Sequence, residues 1–239
     1  MNRLPMLTTP TILLFDVDGT LLTAGGAGRR ALVRAFVAEL GRGEVVQAID
    51  LRGMTDPAVF REAVTAAGLS PDPRLLARLV ASYLAFLPEE LDRAASFTVL
   101  PGVRQVVAAA RACPGVAVGL GTGNYERGAR LKLARGELSD DFPFGGFGDD
   151  AEARAEVLRA GAERGAQRLE KPLARCRVVV IGDTPRDVAA ARSIGAESVA
   201  VATGGFDVGA LRAAGATAVH ESLAADGALA SILGPAALR

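Results

Sequence analysis

Apolar positions recur every three or four residues along most of the chain, but at a few places they run on without a break. Ile12-Leu13-Leu14-Phe15, Val116-Ala117-Val118-Gly119-Leu120 and Val178-Val179-Val180-Ile181 are such runs. Short, continuous and rich in β-branched or bulky residues, they suit strands buried on both faces of a parallel sheet. Ser198 to Ala202 reads as a further strand, Thr217-Ala218-Val219 as a last edge strand, and Phe142 to Gly148 as a short extended segment. Helical spacing returns in between, through Ala112, over Tyr125 to Ala134, over Asp149 to Gly165, and over Val188 to Ile194 before Gly195. Strands alternating with helices predict an α/β fold, a Rossmann-like doubly wound parallel sheet with right-handed crossovers.

One stretch breaks the alternation. From Thr23 to Phe97 no strand pattern occurs. Arg29 to Leu40 places apolar residues at 32, 33, 36, 37 and 40 on one helical face, and Gly41 and Gly43 stop it. Thr55-Asp56-Pro57 signals the start of a helix over Ala58 to Ala67, ended by Gly68. Pro73 to Leu87 is a third helix and Glu89 to Ala95 a fourth. A crossover between parallel strands needs only one helix. The surplus predicts a helical cap over residues 23–97, inserted into a core made of 1–22 and 98–239.

Composition narrows the function classes. Lys plus Arg number 27 and Asp plus Glu number 27, so no net charge favours nucleic acid or an anionic membrane. Cys113 and Cys176 are far apart and read as reduced thiols. The leading residues hold no secretory signal, and no window reaches the roughly 20 apolar residues of a membrane span. A cytoplasmic protein acting on a small molecule is expected, as monomer or homodimer.

The chemistry gathers where the strands end. Ligands of open parallel sheets bind beyond the carboxyl ends of the strands. Strand one runs into Asp16-Val17-Asp18-Gly19-Thr20, strand two into Gly121-Thr122-Gly123-Asn124, and the strand before residue 182 into Gly182-Asp183-Thr184-Pro185-Arg186-Asp187. Arg154, in the first turn of the helix after residue 149, belongs to the same edge. Carboxylates brought together repel unless a cation neutralises them, and an all-oxygen set suits Mg²⁺. A metal plus an arginine suits a phosphate, with the Thr122 hydroxyl and the Gly123 amide as further donors. The reading is phosphoryl transfer to Asp16, with Asp18 protonating the leaving oxygen and then deprotonating water.

These segments resemble the first, second and fourth motifs of the haloacid dehalogenase superfamily, most closely its phosphoglycolate phosphatase-like branch. The resemblance implies Mg²⁺, with Asp16 as nucleophile and ligand, Asp18 as acid/base and backbone ligand, Asp183 as ligand, and Asp187 assisting through water or a hydrogen bond. The family's third motif is a lysine, often before proline. Lys171-Pro172 matches the dipeptide but follows its helix, so it falls at the wrong end of the sheet. Arg154 takes the role instead, with Arg127, Arg130 or Lys132 as substitutes should it merely pair with Glu152 or Glu156. A phosphomutase of the same fold and a non-catalytic phosphoacceptor or binding module are the competing readings. The stretch 23–97 contains no lysine, which argues against Schiff-base phosphonate cleavage.

Other residues carry smaller expectations. Arg52-Gly53-Met54-Thr55 is a cap loop able to reach the site, with Thr55 as substrate contact or helix N-cap. Asp149-Asp150 is expected to cap the helix that follows, Asp140-Asp141 to form a solvated turn, His220 to be structural, and Thr203-Gly204-Gly205 to turn the chain at the same edge.

Overall fold

The computed structural model describes residues 9–234; the leading stretch read for a secretory signal lies, through residue 8, outside the described residues. In chain order the elements begin with β1 (Thr11–Phe15), β2 (Leu22–Thr23), α1 (Ala27–Leu40), α2 (Glu44–Gln47), α3 (Asp56–Ala66) and α4 (Pro73–Asp92). There follow β3 (Thr98–Val99), α5 (Val103–Ala112), β4 (Val116–Gly121), α6 (Glu126–Arg135), β5 (Gly145–Gly146) and α7 (Arg154–Arg168). The chain ends with β6 (Arg177–Gly182), α8 (Pro185–Ser193), β7 (Glu197–Val201), α9 (Val208–Ala213), β8 (Ala218–His220) and α10 (Ala228–Leu233). Helices α9 and α10, six residues each, are too short for a helical period to announce itself in the sequence.

Six strands form one sheet in the order β5-β4-β1-β6-β7-β8, all pairs parallel. β1 lies between β4 and β6, with Phe15 level with Leu120 on one side and Ile181 on the other. Alternation along β1 divides the core. Leu13 and Phe15 face one side with Val118, Leu120 and Ile181, while Ile12 and Leu14 face α7 and α8 through Leu158, Ala162 and Ala191. Ile12 to Phe15 are all 0% exposed. At about 1.5–3 kcal/mol per buried side chain, that strand is a rigid base for the residue after it.

The helical cap leaves the core after β2 and returns at β3. These two short strands pair antiparallel, Leu22 with Val99 and Thr23 with Thr98, and tie the two connections together. Within the cap the expected third and fourth helices are one helix, α4, with Pro88 inside it. Proline in a helix interior costs about 3 kcal/mol. The apolar row Leu79, Tyr83, Leu87 and Leu91 continues across it and is buried throughout. Burying Leu87 and Leu91 together outweighs that cost. Among the described residues no helix is long and apolar enough to cross a membrane.

Candidate active site

Three clustered carboxylates make the floor beneath a cavity of about 370 Å³ between sheet edge and cap, two of them, Asp16 and Asp183, lining it and Asp187 set behind. Asp16 follows β1, Asp183 follows β6, and Asp187 lies in the first turn of α8; one oxygen of each lies within 4.8 Å of the others. All three are buried. Asp16 is fixed by its amide, which donates to Ile181 O at 2.8 Å. The Thr20 hydroxyl donates to Asp183 Oδ1 at 3.0 Å. Gly19 adopts φ +81°, and a Cβ there would stand 2.5 Å from Asp183 Oδ2, so both turn and contact require glycine.

Asp187 has two separate tasks. Its Oδ2 accepts from the Asp183 and Thr184 amides and the Thr184 hydroxyl, while Thr184 Oγ1 accepts from the Asp187 amide, a reciprocal capping box. Its Oδ1 faces Arg154, the first residue of α7. Arg154 Nη2 lies 2.5 Å from Asp187 Oδ1 and 3.1 Å from Asp16 Oδ1. These contacts have ion-pair distances without hydrogen-bond alignment: Arg154 Nε, Arg154 Nη2 and Asp187 Oδ1 are buried with no hydrogen-bond partner. The alternative pairing of Arg154 is absent, since Glu152 pairs with Arg61 and Glu156 with Arg159.

Electrostatics follow from the crowding. Burial, and then the neighbouring Asp187 and Asp16 charges, push the Asp183 carboxyl well above the usual range. Burial also raises Asp16, with Arg154 opposing and Asp187 and Asp18 adding to the rise. Burial works against the Arg154 charge, but Asp187 and Asp16 outweigh it and hold the guanidinium above its ordinary value. Three acidic groups against one cation leave a deficit of positive charge. An all-oxygen cluster of this kind is compatible with a divalent cation.

The wall is built differently. Asp18 is not part of the floor cluster; its Oδ2 accepts from Lys132 Nζ at 2.5 Å and Asn124 Nδ2 at 2.9 Å. Lys132 also donates to Asn124 Oδ1 at 2.6 Å. Burial opposes the Lys132 charge, yet Asp18 and Asp56 together hold its ammonium above the ordinary value. Of the substitutes considered for Arg154, Lys132 alone lines the cavity; Arg127 is exposed and Arg130 donates to Phe142 O.

Thr122 is fully buried behind the wall, its hydroxyl accepting from the Asn124 amide and side chain, while Gly123 and Asn124 face the cavity. A Cβ on Gly123 would stand 2.5 Å from Met54 O, so glycine lets the cap loop close on the core. Arg52, Gly53 and Met54 line the cavity, but Thr55 does not. Of its two expected places Thr55 takes the helix cap: it caps α3 by accepting from the Ala58 amide, and its hydroxyl donates to Glu152 O at 2.7 Å. Asp56, next along, takes the place facing the cavity.

Asp149 and Asp150 also need correction, because α7 begins only at Arg154. Asp149 Oδ2 accepts from the Glu126 amide at the start of α6, and Asp150 accepts from the Phe147 amide and pairs with Arg164. Asp141 pairs with Arg111. His220 lies on β8 against Ser231, and Lys171-Pro172 follows the far end of α7. Thr203 and Gly204 line the cavity. Cys113 and Cys176 are unpaired.

The model of the haloacid dehalogenase-like hydrolases matches residues 10–195. The chain belongs to the haloacid dehalogenase-like hydrolases. No curated protein sequence matches it. Solved structures show the same fold at low identity. A hydrolase from Pseudomonas syringae is 23% identical with TM-score 0.62, over 90% of this chain and 94% of that one. CbbY from Rhodobacter sphaeroides, crystallised with xylulose-1,5-bisphosphate, is 22% identical with TM-score 0.70, over 94% and 99%. A phosphatase from Clostridium acetobutylicum, itself assigned by prediction, is 18% identical with TM-score 0.65, over 89% and 94%.

Within this hydrolase, sequence reasoning passed over Thr20, Asp56 and Asn124 as site residues, and Tyr83 of α4, which also lines the cavity. Asn124 stands two positions past Thr122 in the turn already singled out, and Asp56 in a helix-start signal. Nothing in the spacing links Lys132 to Asp18, 114 positions apart.

Proposed function

We propose that this hydrolase is a Mg²⁺-dependent phosphatase that releases inorganic phosphate from a small phosphorylated metabolite through an aspartyl-phosphate on Asp16. The observation that carries the reading is the buried Asp16–Asp183–Asp187 floor beside a guanidinium whose Nε and Nη2 lack hydrogen-bond partners. Arg154 has donors to give to a phosphoryl oxygen, and the cavity is of small-molecule size. Residues 23–97 act as the cap and the remaining segments as the catalytic core.

Asp16 attacks phosphorus as the bond to the leaving oxygen breaks, and Asp18 gives that oxygen its proton. Asp18 then takes a proton from water, which attacks the same phosphorus and returns Asp16 as a carboxylate. Arg154 orients the transferring group and offsets its charge. Gly123 presents its amide to a phosphoryl oxygen, and Thr122 holds Asn124, and through it Asp18, in place. Asp16 and Asp183, with the Asp18 carbonyl, would hold Mg²⁺, which supplies the positive charge that lets an anionic nucleophile approach an anionic phosphate. Asp187 anchors the turn after β6 and positions Arg154.

The test is release of phosphate from p-nitrophenyl phosphate with and without Mg²⁺, in the native chain and in Asp16→Asn. Metal-dependent turnover that disappears in a folded Asp16→Asn variant supports the reading. Unchanged turnover in that variant refutes the covalent route, and an isomerised product in place of free phosphate assigns a phosphomutase.

A further inference from the structure

The cap end of the cavity carries a polar group pair that the reaction at Asp16 does not use. Asp56, at the start of α3, makes one side-chain hydrogen bond, accepting from the Tyr125 amide through Oδ2 at 2.8 Å. Its Oδ1 has no partner among the described residues. Tyr83, on α4, is 4% exposed and lines the same cavity, and its hydroxyl makes no hydrogen bond among the described residues. Neither oxygen is sealed from the cavity, so both are open to a hydroxyl of a bound molecule. Two glycines border this hydroxyl: a Cβ on Gly28 would stand at contact distance, 3.9 Å from it and 3.8 Å from Lys132 Nζ, and one on Gly128 3.8 Å from it.

Away from the floor, the cations of the cavity are engaged. Arg29 gives Nη1 and Nη2 to Val46 O and Ile49 O. Arg52 is paired with Asp50 and stacks 4.8 Å from the Phe206 ring. Lys132 is held between Asp18 and Asn124, and Arg154 over the floor. The end away from the floor therefore offers an open carboxylate oxygen and an open hydroxyl, between apolar walls that include Leu32, Val59 and Phe60.

Resting on the phosphatase reading, we propose that Asp56 and Tyr83 form the subsite for the leaving group, and that the substrate is a monophosphate whose leaving group is neutral and carries hydroxyls. A second anionic group, carboxylate or phosphate, would meet Asp56 with no uncommitted cation to offset it, and like charges placed together are strongly disfavoured. An ammonium would meet Lys132, whose charge is close enough to act on Asp56. A hydroxyl satisfies both groups, donating to Asp56 Oδ1 and exchanging a hydrogen bond with Tyr83.

Glycerol 3-phosphate, 3-phosphoglycerate and phosphoethanolamine test this. The first two differ only in a hydroxymethyl against a carboxylate. The native chain should prefer glycerol 3-phosphate over each of the others by about tenfold or more in kcat/KM. Asp56→Asn should narrow the margin over 3-phosphoglycerate to about threefold or less, and Tyr83→Phe should raise KM for glycerol 3-phosphate. Equal or reversed preference in the native chain, or a margin unchanged in Asp56→Asn, overturns the assignment. Calorimetric affinities of the three compounds for Asp16→Asn separate the two levels. The same order of binding without turnover of any phosphate ester keeps the subsite and removes the phosphatase reading. Turnover of p-nitrophenyl phosphate with the order lost removes the subsite alone.

Discussion

Arg154 beneath the cavity and Lys132 beside it are both buried cations set against carboxylates, yet their surroundings differ. On the floor, Asp16, Asp183 and Asp187 are all closed off from solvent, and one guanidinium serves two of them without aligned hydrogen bonds. On the wall, Lys132 makes two short hydrogen bonds, and its partner Asp18 keeps 43% of its side chain exposed. The floor is under-compensated and the wall is satisfied. Burial decides the contrast, because a carboxylate that has lost its water depends on whatever charge the protein or a bound cation provides.

The contrast is broken most forcefully at Arg154. Arg154→Ala strands buried carboxylates and should cost about 3–5 kcal/mol in urea unfolding at pH 8 without divalent cation. Mg²⁺ should recover part of that loss, and kcat/KM on p-nitrophenyl phosphate should fall by about 100-fold or more. Lys132→Met should cost less, about 1–3 kcal/mol, because Asp18 is able to hydrate. Its kinetic effect should exceed its structural one, with kcat down about 10- to 100-fold as Asp18 loses its orientation. Equal destabilisation by the two substitutions would show that floor and wall are not electrostatically distinct.

Asp56 sharpens the same point through pH. Burial raises its carboxyl to about 6, with Lys132 opposing. A carboxyl with a folded value near 6 and an unfolded value near 3.9 stabilises the fold fully below about pH 4 and loses that contribution as pH climbs through 6. Asp56→Asn removes the loss. The variant should match the native chain near pH 4 and exceed it by about 1–2 kcal/mol at pH 8, contact with the cavity and the start of α3 screening the rest. Thermal unfolding at the two pH values checks this, and a variant less stable at pH 8 contradicts it.

How far these residues were legible follows from the same physics. The floor was readable because Asp16 and Asp183 each follow an apolar strand, where an acidic group has no packing role, and Asp187 falls in the helix start just after Asp183, so strand order alone predicts convergence. Arg154 was readable from helix position. The wall was not, because Asp18, Asn124 and Lys132 meet only through the angle at which α6 leaves β4. The cap was readable as helical but not in detail. Pro88 looks like a helix break until the buried row from Leu79 to Leu91 is seen to run past it. Thr55 takes the helix cap and Asp56 beside it faces the cavity, because a helix-start signal fixes backbone polarity but not which side chain turns toward a cavity on the other side of the loop.

Thr55 is where the cap loop meets the segment leading to the floor, and it carries the smallest effect. Its hydroxyl accepts from the Ala58 amide at 3.4 Å, a weak cap, and donates to Glu152 O at 2.7 Å, two residues before Arg154. Since the cap bond is long, the second bond dominates. Thr55→Ala should cost about 1 kcal/mol, and Thr55→Ser should restore most of it. The loss loosens the cap loop against the segment that leads into Arg154, so KM for p-nitrophenyl phosphate should rise by a few-fold while kcat holds. A fall in kcat with KM unchanged would place Thr55 among the groups that orient Arg154 in the reaction itself, and the joint would then belong to the floor.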